Sequence, residues 1–182
     1  MARVVIVGDG PAGLSAALFL AKNEVEAVVF GQDETALHYA HLHNYLGVED
    51  LGGTAFQAIA RRQVAALGAE LRDAEVTGIV KQGDRFTVRS DDGEVEADYV
   101  ILAGGKAAKA LAGALGAEDG GRVRVDTENR TEVDRLYAVG RVVRPERSQA
   151  IISAGAGAIA ALDILSREAG KDVHDWDTPP QD

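Results

Sequence analysis

The segment Val4–Ala21, VVIVGDGPAGLSAALFLA, constrains this chain more than any other: an apolar strand enters a glycine turn and passes straight into a helix. In such a unit Gly8 permits the turn, Gly10 lets backbone approach a phosphate, and Gly13 lets the helix lie close to the strand. Pro11 suits the first helical position, where a missing N–H is no loss. The helix start at Pro11 and Ala12 then offers free amides and a positive dipole end to an anion. A GxGxxG also occurs in purely structural turns. Its place between a buried strand and a helix is what predicts a bound dinucleotide.

Composition bounds the rest. A chain of 182 residues with 46% hydrophobic content can bury one good core. Its 29 acidic residues outnumber 19 basic ones, for a net charge of −10, which argues against nucleic acid as a partner. The cations are mostly arginine, a balance that suits a high-salt cytoplasm as well as an ordinary acidic protein. There is no cysteine, which removes disulfides, thiolate metal sites and any CxxC redox pair. No signal-peptide pattern precedes the first strand and no apolar run has the length of a membrane span, so a soluble cytoplasmic protein without a membrane partner is expected.

Along the chain, strands are expected at Arg3–Val7, Ala27–Phe30 and Glu70–Arg72, with helices over Pro11–Lys22 and Thr54–Leu67, the second capped by Thr54. Residues 32–52 read as an irregular, His-containing segment. The turn signals Gln82-Gly83-Asp84 and Asp91-Asp92-Gly93 predict an antiparallel meander of Glu75–Lys81, Arg85–Ser90 and Glu94–Ala97. Tyr99–Ala103 and Leu136–Val139 read as buried parallel strands. Between them lie a Gly- and Ala-rich connection and a strand at Val123–Val125. A last helix runs from about Gln149 to Ala169, with Ser148 as cap and Gly170 as stop. Residues 1–171 form one domain in this reading, and 172–182 a loose acidic tail.

Five segments, in order, resemble the FAD-binding domain of the thioredoxin reductase-like pyridine nucleotide–disulfide oxidoreductases. GDGPAGLSAALFLA is similar to the family's FAD fingerprint, and HNYLGVEDLGGTAFQAIARRQVAALGAEL to its loop and second helix. DYVILAGG resembles the strand ending in Ala-Thr-Gly, RVRVDTENRTEVDRLYAVGR the segment ending in Ala-Gly-Asp, and SQAIISAGAGAIAALDIL the last helix. The resemblance implies an α/β, Rossmann-like domain: a central, mostly parallel five-stranded sheet with helices on one face and the three-stranded meander on the other. It implies FAD, with Gly8, Gly10, Pro11, Ala12 and Gly13 at the diphosphate. Asn44 would lie near the flavin, Val76 near the adenine, and Ala103 and Gly104 along the nucleotide. Gln149 and Ala150 would offer amides to the flavin pyrimidine, where a helix start favours negative charge. Small residues Ala154–Ala158 would let that helix lie close to the sheet.

The chain departs from the family pattern in four ways. The NADPH-binding domain usually inserted after the Ala-Thr-Gly strand is replaced by about 17 residues, Lys106 to Arg122, with no second glycine fingerprint. The CxxC of that domain is gone too. Gly31-Gln32-Asp33 stands where an acidic ribose ligand is often found, with Asp33 at about the expected spacing of 20 residues. The closing Gly-Asp reads Gly140-Arg141; the family aspartate accepts a ribityl hydroxyl bond, and arginine can only donate. Arg141 would grip the pyrophosphate or pair with a nearby acid.

The expected function is therefore a stand-alone FAD flavoprotein, an oxidoreductase or electron carrier with no disulfide chemistry of its own. Its donor would be external, NAD(P)H or a ferredoxin-like protein, and a homodimer or partner would cover the flavin. The rival readings are a non-enzymatic nucleotide-binding module and an NAD(P)-binding domain. His38, His41 and His43 read as loop residues ahead of proton carriers or metal ligands. Ser15, Ser148 and Ser153 lack a nucleophile-elbow context, and Arg61-Arg62 is expected on the exposed face of the second helix.

Overall fold

The computed structural model describes residues 2–178. The chain runs β1 (Arg3–Val7), α1 (Pro11–Lys22), β2 (Glu26–Phe30), α2 (Gly53–Ala66), β3 (Glu70–Arg72), β4 (Val76–Gln82), β5 (Arg85–Ser90), β6 (Gly93–Ala97), β7 (Tyr99–Leu102), α3 (Lys106–Ala114), β8 (Glu118–Asp119), β9 (Arg122–Val123), β10 (Leu136–Ala138) and α4 (Ala150–Ala169). One sheet has the order β10-β7-β1-β2-β3, parallel throughout, and β4-β5-β6 form an antiparallel meander. This is the expected α/β architecture.

Burial follows the two-residue period of the parallel strands. Val4, Ile6, Tyr99, Ile101 and Tyr137 enter the core beneath α1 and α4, while Val5, Val7, Val100, Leu102 and Leu136 enter a second core beneath the meander. The central strands are buried on both faces, so they read as unbroken apolar runs. Helices α1 and α4 touch backbone to backbone: a Cβ on Gly157 would lie 2.0 Å from the Ala12 carbonyl oxygen. The small-residue stretch of α4 therefore holds it against α1 above the site. By length and composition α4 would also suffice to cross a membrane, with 20 residues and a mean hydropathy of 1.4, against the expectation that no apolar run has that length. Here it is a core helix whose Asp163 accepts hydrogen bonds from Tyr137 and Arg130.

Four local expectations change. The Gly- and Ala-rich connection contains α3, which buries Ala108, Leu111 and Ala112 in the meander-side core. The strand expected at Val123–Val125 is instead β9, which pairs only with β8 in a short hairpin outside the main sheet. Thr54 does not cap α2: the N-cap is Gly52, the Gly53 amide donates to the Ala40 carbonyl, and the Thr54 hydroxyl bonds the His38 ring. Ser148 does not cap α4; its hydroxyl turns to the Pro145 carbonyl, and Gln149 is the N-cap. In the tail, Val173 packs on the first core and Asp175 pairs with Lys22 at 3.0 Å. Residues 179–182 of the expected loose segment lie outside the described residues.

Candidate functional site

The carboxyl ends of β1, β2 and β7 converge on the glycine turn, the place where open parallel sheets bind ligands. Gly8 sits at φ +114°, its amide donates to the Phe30 carbonyl, and a Cβ there would lie 2.8 Å from the Gly104 nitrogen. Gly13 is equally constrained, because its Cβ would lie 1.9 Å from the Gly8 oxygen. Gly10 differs: among the described residues a Cβ there would meet only the Thr35 hydroxyl, at 3.3 Å, and both residues line a cavity.

That cavity has a volume of about 400 Å³. Gly8, Gly10, Pro11 and Ala12 line one side, Ala103 and Gly104 another. Asn44 from the irregular segment and Arg141, Gln149 and Ala150 from the end of the chain complete it. The start of α4 thus opens on the same space as the start of α1, and neither helix has a side-chain cap over its first amides. Free amides and two positive dipole ends directed at one concavity make a site for an anionic ligand.

The remaining residues named from the sequence lie elsewhere. Gly13, within α1, is buried against β1 and the Gly8 carbonyl, and Val76 is buried in the meander-side core. Gly140 is buried at φ +69° with its α-carbon face against Ala12. Gln32 and Asp33 are exposed beyond β2.

Sequence reasoning missed the part played by Asp9. Its side chain is almost fully buried, and Oδ2 accepts the Asp33 amide at 3.0 Å and a short contact from Arg61. Arg61 also bridges to Asp73 at 2.8 Å, so it is an ion-pair residue and not the exposed arginine expected of α2. One turn earlier on the same helix, Gln57 donates to the Asp9 carbonyl at 2.7 Å. Burial pushes the Asp9 carboxyl above its ordinary value, and the Arg61 charge and the Asp33 N–H pull it back only in part. The available signal was the i, i+4 spacing of Gln57 and Arg61, which puts both on one face of α2.

The histidine segment is folded as a short turn, Ala36–Tyr39, followed by irregular chain. His38 is fixed between Thr54 and the Asp33 carbonyl at 3.0 and 2.7 Å. His41 stacks on His43 with ring centroids 4.3 Å apart and pairs with Asp50, all three being exposed. His41 also lines the cavity.

Residues 48–158 match the family model described as pyridine nucleotide-disulphide oxidoreductase. A thioredoxin reductase of Mycolicibacterium smegmatis is 33% identical over 112 residues, covering 59% of this chain and 36% of that protein. One of Treponema pallidum is 34% identical over 106 residues, covering 56% and 34%. The chain thus spans about a third of the length of the curated relatives it matches. Among solved structures, the atypical thioredoxin reductase TRi of Desulfovibrio vulgaris Hildenborough superposes with a TM-score of 0.84 at 19% identity, covering 93% of this chain and 99% of that one. A ferredoxin-flavin thioredoxin reductase of Clostridium acetobutylicum gives 0.78 at 17%, covering 93% and 98%. With the family model matched over more than half its length, the chain belongs to the pyridine nucleotide-disulphide oxidoreductase family as a thioredoxin reductase-like member.

Proposed function

We propose that this chain binds FAD and serves as the flavin-carrying unit of an oxidoreductase whose electrons come from outside this domain. The observation that supports the reading most is the single cavity joining the glycine turn, Asn44, Ala103-Gly104 and the start of α4. These are the positions at which the family resemblance puts the diphosphate and the flavin. The open side of Gly10 leaves room for a phosphate.

FAD, when bound, supplies the two-electron redox chemistry. The chain's own residues bind and orient it. Amides at the start of α1 hold the pyrophosphate, and those of Gln149 and Ala150 favour negative charge at the far end. Asp9 and Asp33 bring carboxylates to the end of β2, where a Rossmann domain engages a ribose. Arg141 can only donate hydrogen bonds, to a phosphate or a carbonyl.

No cysteine is present in this sequence, so none of its residues can exchange a disulfide. The donor is then a nicotinamide dinucleotide or a ferredoxin-like protein; the name of the Clostridium neighbour supports the second. The same reading includes self-association through the exposed apolar stripe of Ile151, Gly155 and Ile159 on α4, which sedimentation velocity tests. The deciding experiment adds FAD to the purified protein and follows quenching of flavin fluorescence. Saturable binding supports the proposal, and a protein that takes up no FAD at any concentration refutes it.

A further inference from the structure

We propose that the cleft between α3, the β8–β9 hairpin and residues 141–147 is a second site, taking a phosphate-bearing small molecule of nucleotide size. The cleft encloses about 860 Å³. Lys106, Lys109, Arg122, Arg141, Arg144 and Arg147 line it, against one lining carboxylate, Glu146. Six of the chain's 19 cations thus meet in one concavity of a protein with a net charge of −10.

Their pairing sets them apart. Elsewhere most arginines have a carboxylate partner, as in Arg3–Glu26, Arg72–Glu70 and Arg167–Asp134 at 2.7 to 2.8 Å, and among the described residues outside the cleft only the exposed Arg62 has none. In the cleft, among the described residues, only Lys109 has a carboxylate partner, Glu118 at 4.0 Å. Unmatched like charges repel one another, and a low-dielectric concavity focuses their field outward onto an incoming anion. Guanidinium forks bind phosphate oxygens in pairs.

The shape selects a small ligand over a flat protein surface. The volume falls within the range of roughly 300 to 1,000 Å³ typical of small-molecule sites. Val123, Val142, Val143 and Pro145 add an apolar wall on which a base or ring can lie. Gly105 and Arg141 line both this cleft and the cavity at the glycine turn, so the two sites share a wall. A phosphorylated nicotinamide nucleotide bound here would lie next to the first site. That last step rests on the FAD proposal; the phosphate site does not.

The test is calorimetry on the full chain saturated with FAD, using NADPH and inorganic pyrophosphate as probes. Both should bind, compete with each other, and weaken as salt is raised, since the site is charge-driven. The double variant Arg144→Glu, Arg147→Glu should lose at least roughly tenfold in affinity for both probes while keeping its circular dichroism and its FAD affinity within about twofold. Arg144→Lys, Arg147→Lys should retain much of the pyrophosphate binding, because the charge is kept. The proposal is overturned if neither probe binds, or if charge reversal leaves their affinity unchanged. It is also overturned if poly-L-glutamate binds where the small anions do not, which would mark a protein-docking surface. Pyrophosphate binding that depends on Arg144 and Arg147 in a protein refusing FAD would sink the FAD reading and leave this one standing.

Discussion

The carboxylate of Asp9 fills the space that a side chain at Gly31 would need. A Cβ on Gly31 would lie 2.4 Å from Asp9 Cγ and 2.6 Å from Asp9 Cβ. A carboxylate carried on the glycine turn thus lies beside the end of the second strand. Arg61 and the Asp33 amide hold it in place.

Substitution at Gly31 should therefore be costly for steric reasons alone, since its φ is not positive. Gly31→Ala forces a buried, doubly bonded carboxylate to move, and overpacking of this kind costs about 2 kcal/mol. Asp9→Gly in the same chain removes both clashing atoms, so the double variant should recover most of that loss. Urea unfolding of the four proteins in the cycle measures the coupling. Additive effects would show that the two residues do not compete for one space.

Two glycines of the same turn should separate folding from binding. Gly13→Ala places a methyl 1.9 Å from the Gly8 oxygen and should unfold the strand–helix unit. Gly10→Val points into the cavity, so the protein should melt within a few degrees of the parent yet lose flavin fluorescence quenching. Full FAD binding by Gly10→Val would refute the placement of the pyrophosphate.

How much of this was legible beforehand depended on how local the signal was. The unit from β1 to α1 could be read because its apolar run, glycines and Pro11 are contiguous, and the meander because its turns carry Gly83-Asp84 and Asp92-Gly93. Helix α3 was hidden: Lys106–Ala114 lies among Gly104, Gly105, Gly113 and Gly116, carries no side-chain cap and buries only three residues. The strand at Val123–Val125 failed because an apolar alternation does not say which sheet it joins. In the site, the fingerprint was readable, whereas the Asp9–Arg61 pair joins residues 52 apart. The basic cleft draws on three separated segments and leaves no contiguous trace.

Beneath the site, Asp163 should make stability depend on acid. Burial would raise its carboxyl, but hydrogen bonds from Arg130 and Tyr137 outweigh that and hold it below its ordinary value of about 3.8. A carboxyl depressed in the folded state contributes stability that is complete above the unfolded value and is lost as pH falls through the folded one. Unfolding free energy should thus decline as pH drops below about 3.8, and Asp163→Asn should flatten the decline. Asp134, lowered by its bond from Arg167, leaves a residual slope of the same sign. Asp163→Ala, which strands the buried Tyr137 hydroxyl, should cost about 2 kcal/mol at neutral pH. An unchanged acid limb in Asp163→Asn would show that the pair does not carry the linkage.

Arg141 should have opposite effects on the two sites whose wall it shares. It follows Gly140, where the family resemblance implies an aspartate that accepts a ribityl hydroxyl bond, and it is exposed and lines both cavities. Arg141→Asp restores an acceptor at the first site and removes a cation from the second. FAD affinity should rise roughly tenfold, equivalent to about 1.4 kcal/mol, while pyrophosphate binding in the basic cleft weakens. Fluorescence titration reads the first effect and calorimetry on the flavin-saturated protein reads the second. A loss of FAD affinity in this variant would mean that Arg141 itself grips the dinucleotide phosphates, and that the departure from the family pattern is a second way of holding the same cofactor.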